Sequence, residues 1–290
     1  MKKKKLKGHK GSKVNSVAWS ADGQVLASGG TDSKIILWNP EGESIKVLEI
    51  PEFEVNTLFW SNDNKLAASA QKKIRLWDKD GNDICEFEAK AYDRIAFSSD
   101  SKLIGTNTMD YKVNIWKEDG THIKELTGHT SFITGISWNP DGDLFLTASE
   151  DAKIRFWDPK DWSEIKVLSE HYESYTCLAW APNGQKFVVG SRTINDQFIR
   201  IYDSDGKSIQ KFDEKQDKIM SIDWSKDGQF ITSGSSDKSV IFWKPDGTLI
   251  EKIKIGKEVT QVAISPDSQS LAVSCWDNKV QLYDLTKLKI

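Results

Sequence analysis

Two sets of histidine, hydroxyl and aspartate residues have the composition of a hydrolytic triad. They are His9, Ser28 and Asp32, and His129, Thr147 and Asp151. In such a hydrolase a histidine base activates the hydroxyl, and the acid orients the histidine. In both sets, however, the hydroxyl stands ten positions and the Asp six positions before a tryptophan, Trp38 or Trp157. This repeated spacing favours a structural role, and no G-x-S-x-G sequence supplies a nucleophile turn.

The other residue types that bind metals or activate substrates are scattered. The chain has 4 His, and it contains no H-E-x-x-H, P-loop or EF-hand sequence. Cys85, Cys177 and Cys275 match no zinc-binding spacing, and their odd number predicts no disulfide framework. Reduced thiols are typical of a cytoplasmic compartment. We therefore expect no catalytic residue, no metal site, no cofactor and a cytoplasmic location.

The composition limits the class of partner. Hydrophobic residues make up 38% of the chain and charged residues 29%, which is typical of a globular protein. The net charge of −3 provides no strong attraction for nucleic acid, so a nucleic-acid partner is disfavoured. No apolar run approaches the roughly 18 residues that a membrane span needs, and we expect none.

The chain begins with the lysine-rich sequence MKKKKLKGHKGSK. No apolar segment follows it, so it does not read as a signal peptide. We interpret these lysines as the solvated side chains of a strand-forming end. The alternative is an anchor for an acidic surface or for nucleic acid.

An aromatic residue closes a unit that recurs along the whole chain at intervals of 39, 39, 41, 45, 41 and 40 residues. The closing residues are Trp38, Trp77, Trp116, Trp157, Tyr202, Trp243 and Tyr283. The positions one and three before each of them are apolar, as at Phe156 and Ile154, and mostly polar residues such as Arg155 lie between. This period of two predicts a β-strand whose apolar side chains share one face.

Two further strands precede this strand in each unit, and one follows it. The first ends in a bulky residue, namely Trp19, Trp60, Phe97, Trp138, Trp180, Trp224 or Ile264. A turn rich in Asp, Asn, Gly and Pro comes next, as in NPDGD at 139–143. No amphipathic helix is predicted. Since a single four-stranded sheet cannot bury both of its faces, the units must stack on one another.

The spacing, the pair Gly128–His129 and the pair Trp157–Asp158 resemble the WD-repeat family over essentially the whole chain. The resemblance implies an all-β fold, a seven-bladed β-propeller of four-stranded antiparallel blades. We expect residues 1–290 to form one domain. The expected blades are residues 9–50, 51–89, 90–128, 129–169, 170–213, 214–256 and 257–290, the last completed by residues 1–8.

The two ends of the chain predict how the ring closes. Only seven residues follow Tyr283, too few for an outer strand like those of the other units. The opening KKKKLKGH aligns with IKELTGH at 123–129, which is an outer strand running into the next unit. We therefore expect residues 2–7 to supply the outer strand of the last blade. This is the usual closure in the WD-repeat family, and it removes an open end of the ring.

The resemblance also assigns a role to the two polar sets. It implies hydrogen-bonded tetrads that run from the Trp38 or Trp157 indole through the hydroxyl and the histidine to the aspartate. A buried indole N–H needs an acceptor, and a neutral histidine needs both a donor and an acceptor. The third and sixth units lack the histidine, while the fifth keeps His171 and Asp196. Blades one and four are therefore expected to be the most rigid.

The function implied by the resemblance is that of a non-catalytic scaffold. The expected partner is a protein or peptide bound by a monomeric ring. We call the expected binding surface the loop face; it consists of the loops that enter the first strands and the loops before the third strands. Large apolar side chains in such loops are typical of binding hot spots. The candidate contact residues are Phe132, Met109, Trp276, Glu150, Met220 and Asp93.

Two other functions remain open at this level. One is a regulatory or sensor propeller that forms a domain of a larger multidomain protein. The other is an enzyme or small-ligand binder whose site lies at the mouth of the central channel. Acidic residues outnumber lysines in the aligned loop positions, which disfavours a phosphate-binding pocket on this face.

Overall fold

The computed structural model describes residues 1–51, 53–70, 72–169, 174–192, 198–212, 214 and 216–290. Within these residues the chain forms 28 β-strands and no helix. The strands build seven four-stranded sheets with antiparallel pairing. The predicted all-β, seven-bladed propeller is confirmed.

Each sheet is one blade, and its strands pair in chain order. Blades one to three comprise β2 (Val14–Trp19), β3 (Leu26–Gly30), β4 (Lys34–Trp38), β5 (Ser44–Glu49); β6 (Thr57–Trp60), β7 (Leu66–Ala70), β8 (Lys73–Trp77), β9 (Asp83–Glu88); β10 (Ile95–Phe97), β11 (Leu103–Asn107), β12 (Val113–Lys117), β13 (His122–Leu126). Blades four and five comprise β14 (Ile133–Trp138), β15 (Phe145–Ser149), β16 (Ile154–Trp157), β17 (Glu164–Leu168); β18 (Ser174–Trp180), β19 (Lys186–Arg192), β20 (Ile199–Asp203), β21 (Ser208–Lys211).

Blade six follows the same pattern, and blade seven combines both ends of the chain. Their strands are β22 (Ile219–Trp224), β23 (Ile231–Ser235), β24 (Ser239–Trp243), β25 (Leu249–Lys254); β26 (Val259–Ile264), β27 (Ser270–Cys275), β28 (Lys279–Asp284) and β1 (Lys3–Lys7). The first strand of every blade ends at the bulky residue that the sequence pattern marks. The turns after these strands contain left-handed residues, such as Gly142 at φ 78° in NPDGD.

The hydrophobic core lies between the blades. One cluster joins Ile35 and Leu37 of blade one to Leu58 and Trp60 of blade two. The second and third strands are consequently buried on both faces, whereas the outer strand is mostly exposed and buries a single side chain, Leu48 in blade one. At Gly234 the blades approach so closely that a Cβ atom would overlap the side chain of Val259 in the next blade. The stacking of blades is therefore the main source of apolar burial.

Strand β1 completes blade seven. It pairs with β28 in a register that runs from Lys3 opposite Tyr283 to Lys7 opposite Lys279. The Asp284 N–H also donates to the Lys2 carbonyl at 3.0 Å. Leu6 is only 2% exposed and belongs to a cluster that contains side chains of blades seven and one. The predicted closure of the ring by the first residues is confirmed.

No helix in the described part of the chain has the length and apolarity needed to cross a bilayer.

Candidate functional site

The first polar set forms a continuous series of hydrogen bonds in blade one. The Trp38 indole donates to Ser28 Oγ at 2.8 Å, and Ser28 Oγ lies 2.9 Å from His9 Nε2. His9 Nδ1 lies 2.9 Å from Asp32 Oδ1. Because the indole can only donate, the hydroxyl donates in turn to Nε2, and Nδ1–H donates to the carboxylate. The series joins the loop that enters the blade to β3, β4 and the turn between them.

Blade four repeats this arrangement. The Trp157 indole donates to Thr147 Oγ1 at 3.0 Å, and Thr147 Oγ1 lies 2.8 Å from His129 Nε2. Asp151 Oδ2 lies 2.9 Å from His129 Nδ1 and accepts the Thr130 N–H at 2.9 Å. Burial opposes ionisation of Asp151, but these hydrogen bonds and the histidine outweigh it and hold the pKa of Asp151 below its ordinary value.

The same geometry argues against hydrolysis by these sets. The side chains of Ser28 and Thr147 are fully buried, and each hydroxyl already contacts a tryptophan and a histidine. A catalytic hydroxyl has to reach the substrate atom that it attacks. Neither hydroxyl is accessible to a substrate, so we interpret both sets as structural.

Blade six contains a related network that the sequence analysis missed. The Trp243 indole donates to Ser233 Oγ at 2.9 Å, and Ser233 Oγ donates to Gln216 Oε1 at 2.5 Å. Gln216 Nε2 donates to Ser239 Oγ at 3.2 Å, and Ser239 Oγ donates to Asp237 Oδ1 at 2.6 Å. The buried amide of Gln216 supplies both an acceptor and a donor, as imidazole does. It occupies the place of the missing histidine.

A recurring backbone hydrogen bond defines the loop face. In blade four the Glu150 N–H donates to the Phe132 carbonyl at 2.9 Å, which joins the loop before the third strand to the loop that enters the first. The same bond recurs in three other blades, from Thr31 to Lys13, from Ser236 to Lys218 and from Trp276 to Glu258. Phe132, Glu150 and Trp276 therefore lie at the same end of the ring, each on its own blade.

Phe132 belongs to an exposed aromatic cluster. Its ring centroid lies 5.2 Å from that of Tyr111, edge to face, and 6.0 Å from that of Tyr92. Phe132 and Tyr92 remain 37% exposed, and Met109, two residues before Tyr111, is 65% exposed. We call Tyr92, Met109, Tyr111 and Phe132 the aromatic patch. It bridges blades three and four, and the sequence analysis missed its two tyrosines.

Trp276 is a separate feature on blade seven. Its side chain is 49% exposed, and Lys13 Nζ of blade one lies 4.2 Å from its ring centroid, within cation–π range. Blade seven is three blades away from blade four, so Trp276 does not join the aromatic patch. Trp276 and Phe132 therefore lie at two separate places on the loop face.

The other candidate contact residues are partly engaged inside the protein. Asp93 Oδ1 accepts a hydrogen bond from the Asn107 side chain at 2.7 Å, and Asp93 Oδ2 lies 3.5 Å from Arg94 Nη1. Glu150 is half-buried, and its carbonyl accepts the Ser174 hydroxyl at 3.1 Å. Met220 is half-buried within β22. Of the two carboxylates, that of Asp93 is engaged, whereas that of Glu150 has no hydrogen bond or ion pair among the described residues.

Several polar residues at this end of the ring tie neighbouring blades together. The Asn15 amide donates to the Val55 carbonyl of the next blade at 2.9 Å, and the Asn56 amide donates to the Tyr92 carbonyl at 2.8 Å. Thr134 and Thr260 make equivalent bonds to Tyr175 and Val14. These four side chains hold the channel entrance together and are not free to bind a partner.

Comparisons with known proteins agree with this architecture. Residues 1–195 match the family model described as the IFT122 first beta-propeller, and residues 206–244 and 247–284 match the WD domain, G-beta repeat. The chain belongs to the WD-repeat β-propeller family.

Similar WD-repeat proteins include Protein FIZZY-RELATED 3 and the WD repeat-containing protein 26 homolog of Arabidopsis thaliana, which are 31% and 32% identical to this chain over 166 and 162 residues. Human apoptotic protease-activating factor 1 is 30% identical over 162 residues. These alignments cover 53%, 52% and 49% of the chain but only 34%, 27% and 13% of the relatives. The chain thus spans about a third or less of the relatives that it matches.

The loop face of this WD-repeat ring also carries basic residues, of which the sequence analysis overlooked Arg94 and Arg192. Arg94 Nε donates to the Thr134 carbonyl at 2.6 Å, which holds the guanidinium at the start of the innermost strands. Burial lowers the pKa of Lys218, and the positive charges of Arg192 and Arg94 lower it further, while Glu150 opposes them. Arg94, Arg192 and Lys218, from blades three, five and six, therefore bring positive charge to this face beside the acidic residues of the aligned loop positions.

Two of the three thiols of this WD-repeat chain are buried. Burial raises the pKa of Cys177 to about 11 and the pKa of Cys275 to about 12, so both thiols stay protonated at neutral pH. No group of three His, Cys, Asp or Glu side chains that could hold a metal ion occurs in the described residues. His171 and Asp196, which the sequence analysis assigned to the fifth unit, lie outside those residues.

Proposed function

We propose that this WD-repeat ring is a non-catalytic scaffold that binds a protein or peptide on its loop face. The aromatic patch of blades three and four is the main anchor. The observation that carries the proposal is the cluster of Phe132, Tyr92 and Tyr111 beside the exposed Met109. Partly exposed aromatic residues that contact one another provide large contact areas with little loss of conformational entropy on binding.

The backbone at Tyr111 supports this proposal. Tyr111 has a φ of 65°, which is uncommon for a bulky residue. Ser33, Ala152 and Lys238 adopt the same left-handed conformation in their own turns, at φ values of 60°, 64° and 69°. The turn therefore imposes the conformation, and an aromatic residue there adds strain without completing a buried core. In this proposal, Tyr111 compensates for the strain by packing on Phe132 and by contributing to the surface that the partner contacts.

The charges near the channel mouth support a partner with an acidic group. Lys218 is half-buried, and neither Lys218 nor Arg192 forms an ion pair among the described residues. A peptide that places an apolar side chain on the aromatic patch could direct a carboxylate towards these cations. A regulatory or sensor role would use the same surface. The enzyme alternative has less support, since the hydroxyls of both triad-like sets are buried.

Selection of peptides from a phage-displayed library, followed by fluorescence anisotropy with each selected peptide, tests the proposal. Phe132→Ala should weaken binding at least about tenfold, as expected for a hot-spot residue. Ile165→Ala is the matched control, because Ile165 is an exposed apolar residue of the same blade that lies on its outer strand. Equal affinity of the wild type and Phe132→Ala for every selected peptide would contradict the proposal.

A further inference from the structure

A groove lies where the chain leaves blade seven and enters blade one. It has a volume of about 250 Å³ and is lined by Lys7, Gly8, His9, Lys10, Asn278 and Lys279. Three of these six residues are lysines. The groove is thus a lysine-rich site directly beside the closure of the ring, and it is distinct from the aromatic patch of blades three and four.

The strand register places two of these lysines against each other. Lys7, the last residue of β1, lies directly opposite Lys279, the first residue of β28. Like charges that face each other across a strand pair are destabilising. The closure of the ring therefore contains a charge repulsion between the two strands that it joins.

Blades one and two place a carboxylate where blade seven has Lys7. In blade one, Lys34 faces Glu49, and Lys34 Nζ lies 3.2 Å from Glu49 Oε1. In blade two, Lys73 faces Glu88, and Lys73 Nζ lies 2.5 Å from Glu86 Oε1. The lysine at the start of the third strand is thus neutralised in these two blades, whereas its equivalent in blade seven, Lys279, faces a second lysine.

The carboxylates of Asp277 and Asp32, near the groove, accept hydrogen bonds from other groups of the protein. Asp277 Oδ1 accepts the Lys279 N–H at 3.1 Å, and Asp32 is bound by His9. Lys7, Lys10 and Lys279 form no ion pair within the described residues. Although these two carboxylates lie nearby, neither forms an ion pair with the three ammonium groups, and an anionic ligand would supply such a partner.

We propose that this groove binds a phosphate-bearing anion, which takes the place of the carboxylate found in blades one and two. A phosphate monoester carries a charge of about −1.5 to −2 at pH 7, which suits a site with three ammonium groups. Lysines bind phosphate as point charges, and the Asn278 amide adds a neutral donor. The ligand would connect β1 through Lys7 to β28 through Lys279 and would strengthen the closure of the ring.

Differential scanning calorimetry of the full chain tests the proposal. The unfolding temperature in pyrophosphate is compared with the unfolding temperature in sodium chloride of equal ionic strength. The wild type should unfold at a temperature higher by at least about 2 °C in pyrophosphate, since a ligand that binds the native state stabilises it. Lys7→Glu should raise the melting temperature by about 1–3 °C without pyrophosphate, because it restores the Lys–Glu pair of blades one and two. This variant should show no response to pyrophosphate.

Lys254→Glu is the matched control. Lys254 is the last residue of the outer strand of blade six and faces Ser239, so the variant changes the same charge at the same strand position. It should keep the wild-type response to pyrophosphate. A wild type that responds equally to pyrophosphate and chloride would overturn the proposal, as would equal losses of response in Lys7→Glu and Lys254→Glu.

Sedimentation with vesicles distinguishes the two sources of phosphate. Vesicles of phosphatidylcholine with about one tenth phosphatidylinositol phosphate present the group on a lipid surface. If wild-type protein sediments with them and pyrophosphate releases it, the ligand is a lipid headgroup. If the protein stays in solution but responds to pyrophosphate in the calorimeter, the ligand is a soluble phosphate compound. Absence of both effects contradicts the proposal.

Discussion

Individual polar residues inside the blades show how far a repeated sequence pattern predicts buried hydrogen bonds. The spacing of Ser28 and Thr147 from their tryptophans predicts two hydrogen-bonded sets, and the structure contains both series of bonds. Gln216 could not be predicted in the same way. It differs in type from histidine, and it lies eight residues before Trp224, whereas His9 lies ten before Trp19. Only the fold shows that its amide reaches Ser233.

Removal of the Gln216 amide should destabilise blade six. Gln216→Ala leaves Ser233 and Ser239 without their buried partner, and we expect a loss of about 1–3 kcal/mol in the free energy of unfolding. Gln269→Ala, at an exposed turn position, should change it by less than about 0.5 kcal/mol. Urea unfolding measures both, and equal values would contradict the assigned role of Gln216.

Asp151 should make a pH-dependent contribution to stability. Since its pKa is lower in the folded chain than in the unfolded chain, its stabilising effect is present above the unfolded pKa of about 3.9 and disappears as the pH falls through the folded value. The stability difference between the wild type and Asp151→Asn should therefore be largest near pH 6 and shrink below about pH 4. Urea unfolding at several pH values tests this, and a difference that grows towards pH 3 would contradict it.

The buried thiols should resist alkylation. With a pKa of about 11, Cys177 has roughly one thousandth of its thiol ionised at pH 8, and Cys275 has less. Iodoacetamide should leave both unmodified in the native protein and should label all three cysteines after denaturation. Mass spectrometry identifies the alkylated cysteines. Rapid labelling of Cys177 or Cys275 in the native protein would contradict the prediction and show that the blades open there.

At the scale of strands, period-two alternation and the closing aromatic residues predicted the position of nearly every element. What they could not predict is which faces are buried. Asn114, Arg155 and Gln281 are polar residues between apolar ones, yet they are buried between blades. Alternation in one strand carries no information about the sheet that packs on its other face, so the residues between the apolar ones look solvent-facing from the sequence.

Strand β1 makes its largest apolar contact through Leu6. Leu6→Ala should lower the free energy of unfolding by about 2–5 kcal/mol, because it leaves a cavity between blades seven and one. Lys5→Ala, next to it on an exposed position of the same strand, should cost less than about 0.5 kcal/mol. Thermal unfolding of both variants tests this prediction. Similar melting temperatures of Leu6→Ala and Lys5→Ala would show that β1 contributes little to stability through packing.

At the scale of the whole molecule, the ring collects on one face residues that are far apart in sequence. The repeat alignment predicted that Phe132, Met109 and Trp276 share this face. It could not predict that Tyr92 and Tyr111 surround Phe132 or that Lys13 covers Trp276, because these contacts join different blades. The basic residues were missed for a related reason, since Arg94 and Arg192 lie outside the aligned loop positions.

The closed ring underlies both proposals, and hydrogen exchange of the intact protein tests it most directly. If β1 pairs with β28, the amides of β28 that face β1, including the Asp284 N–H bound to the Lys2 carbonyl, should exchange as slowly as those of β16 inside blade four. Exchange of these β1-facing amides within seconds, at the rate of an unpaired edge, would show that the first residues do not close the ring.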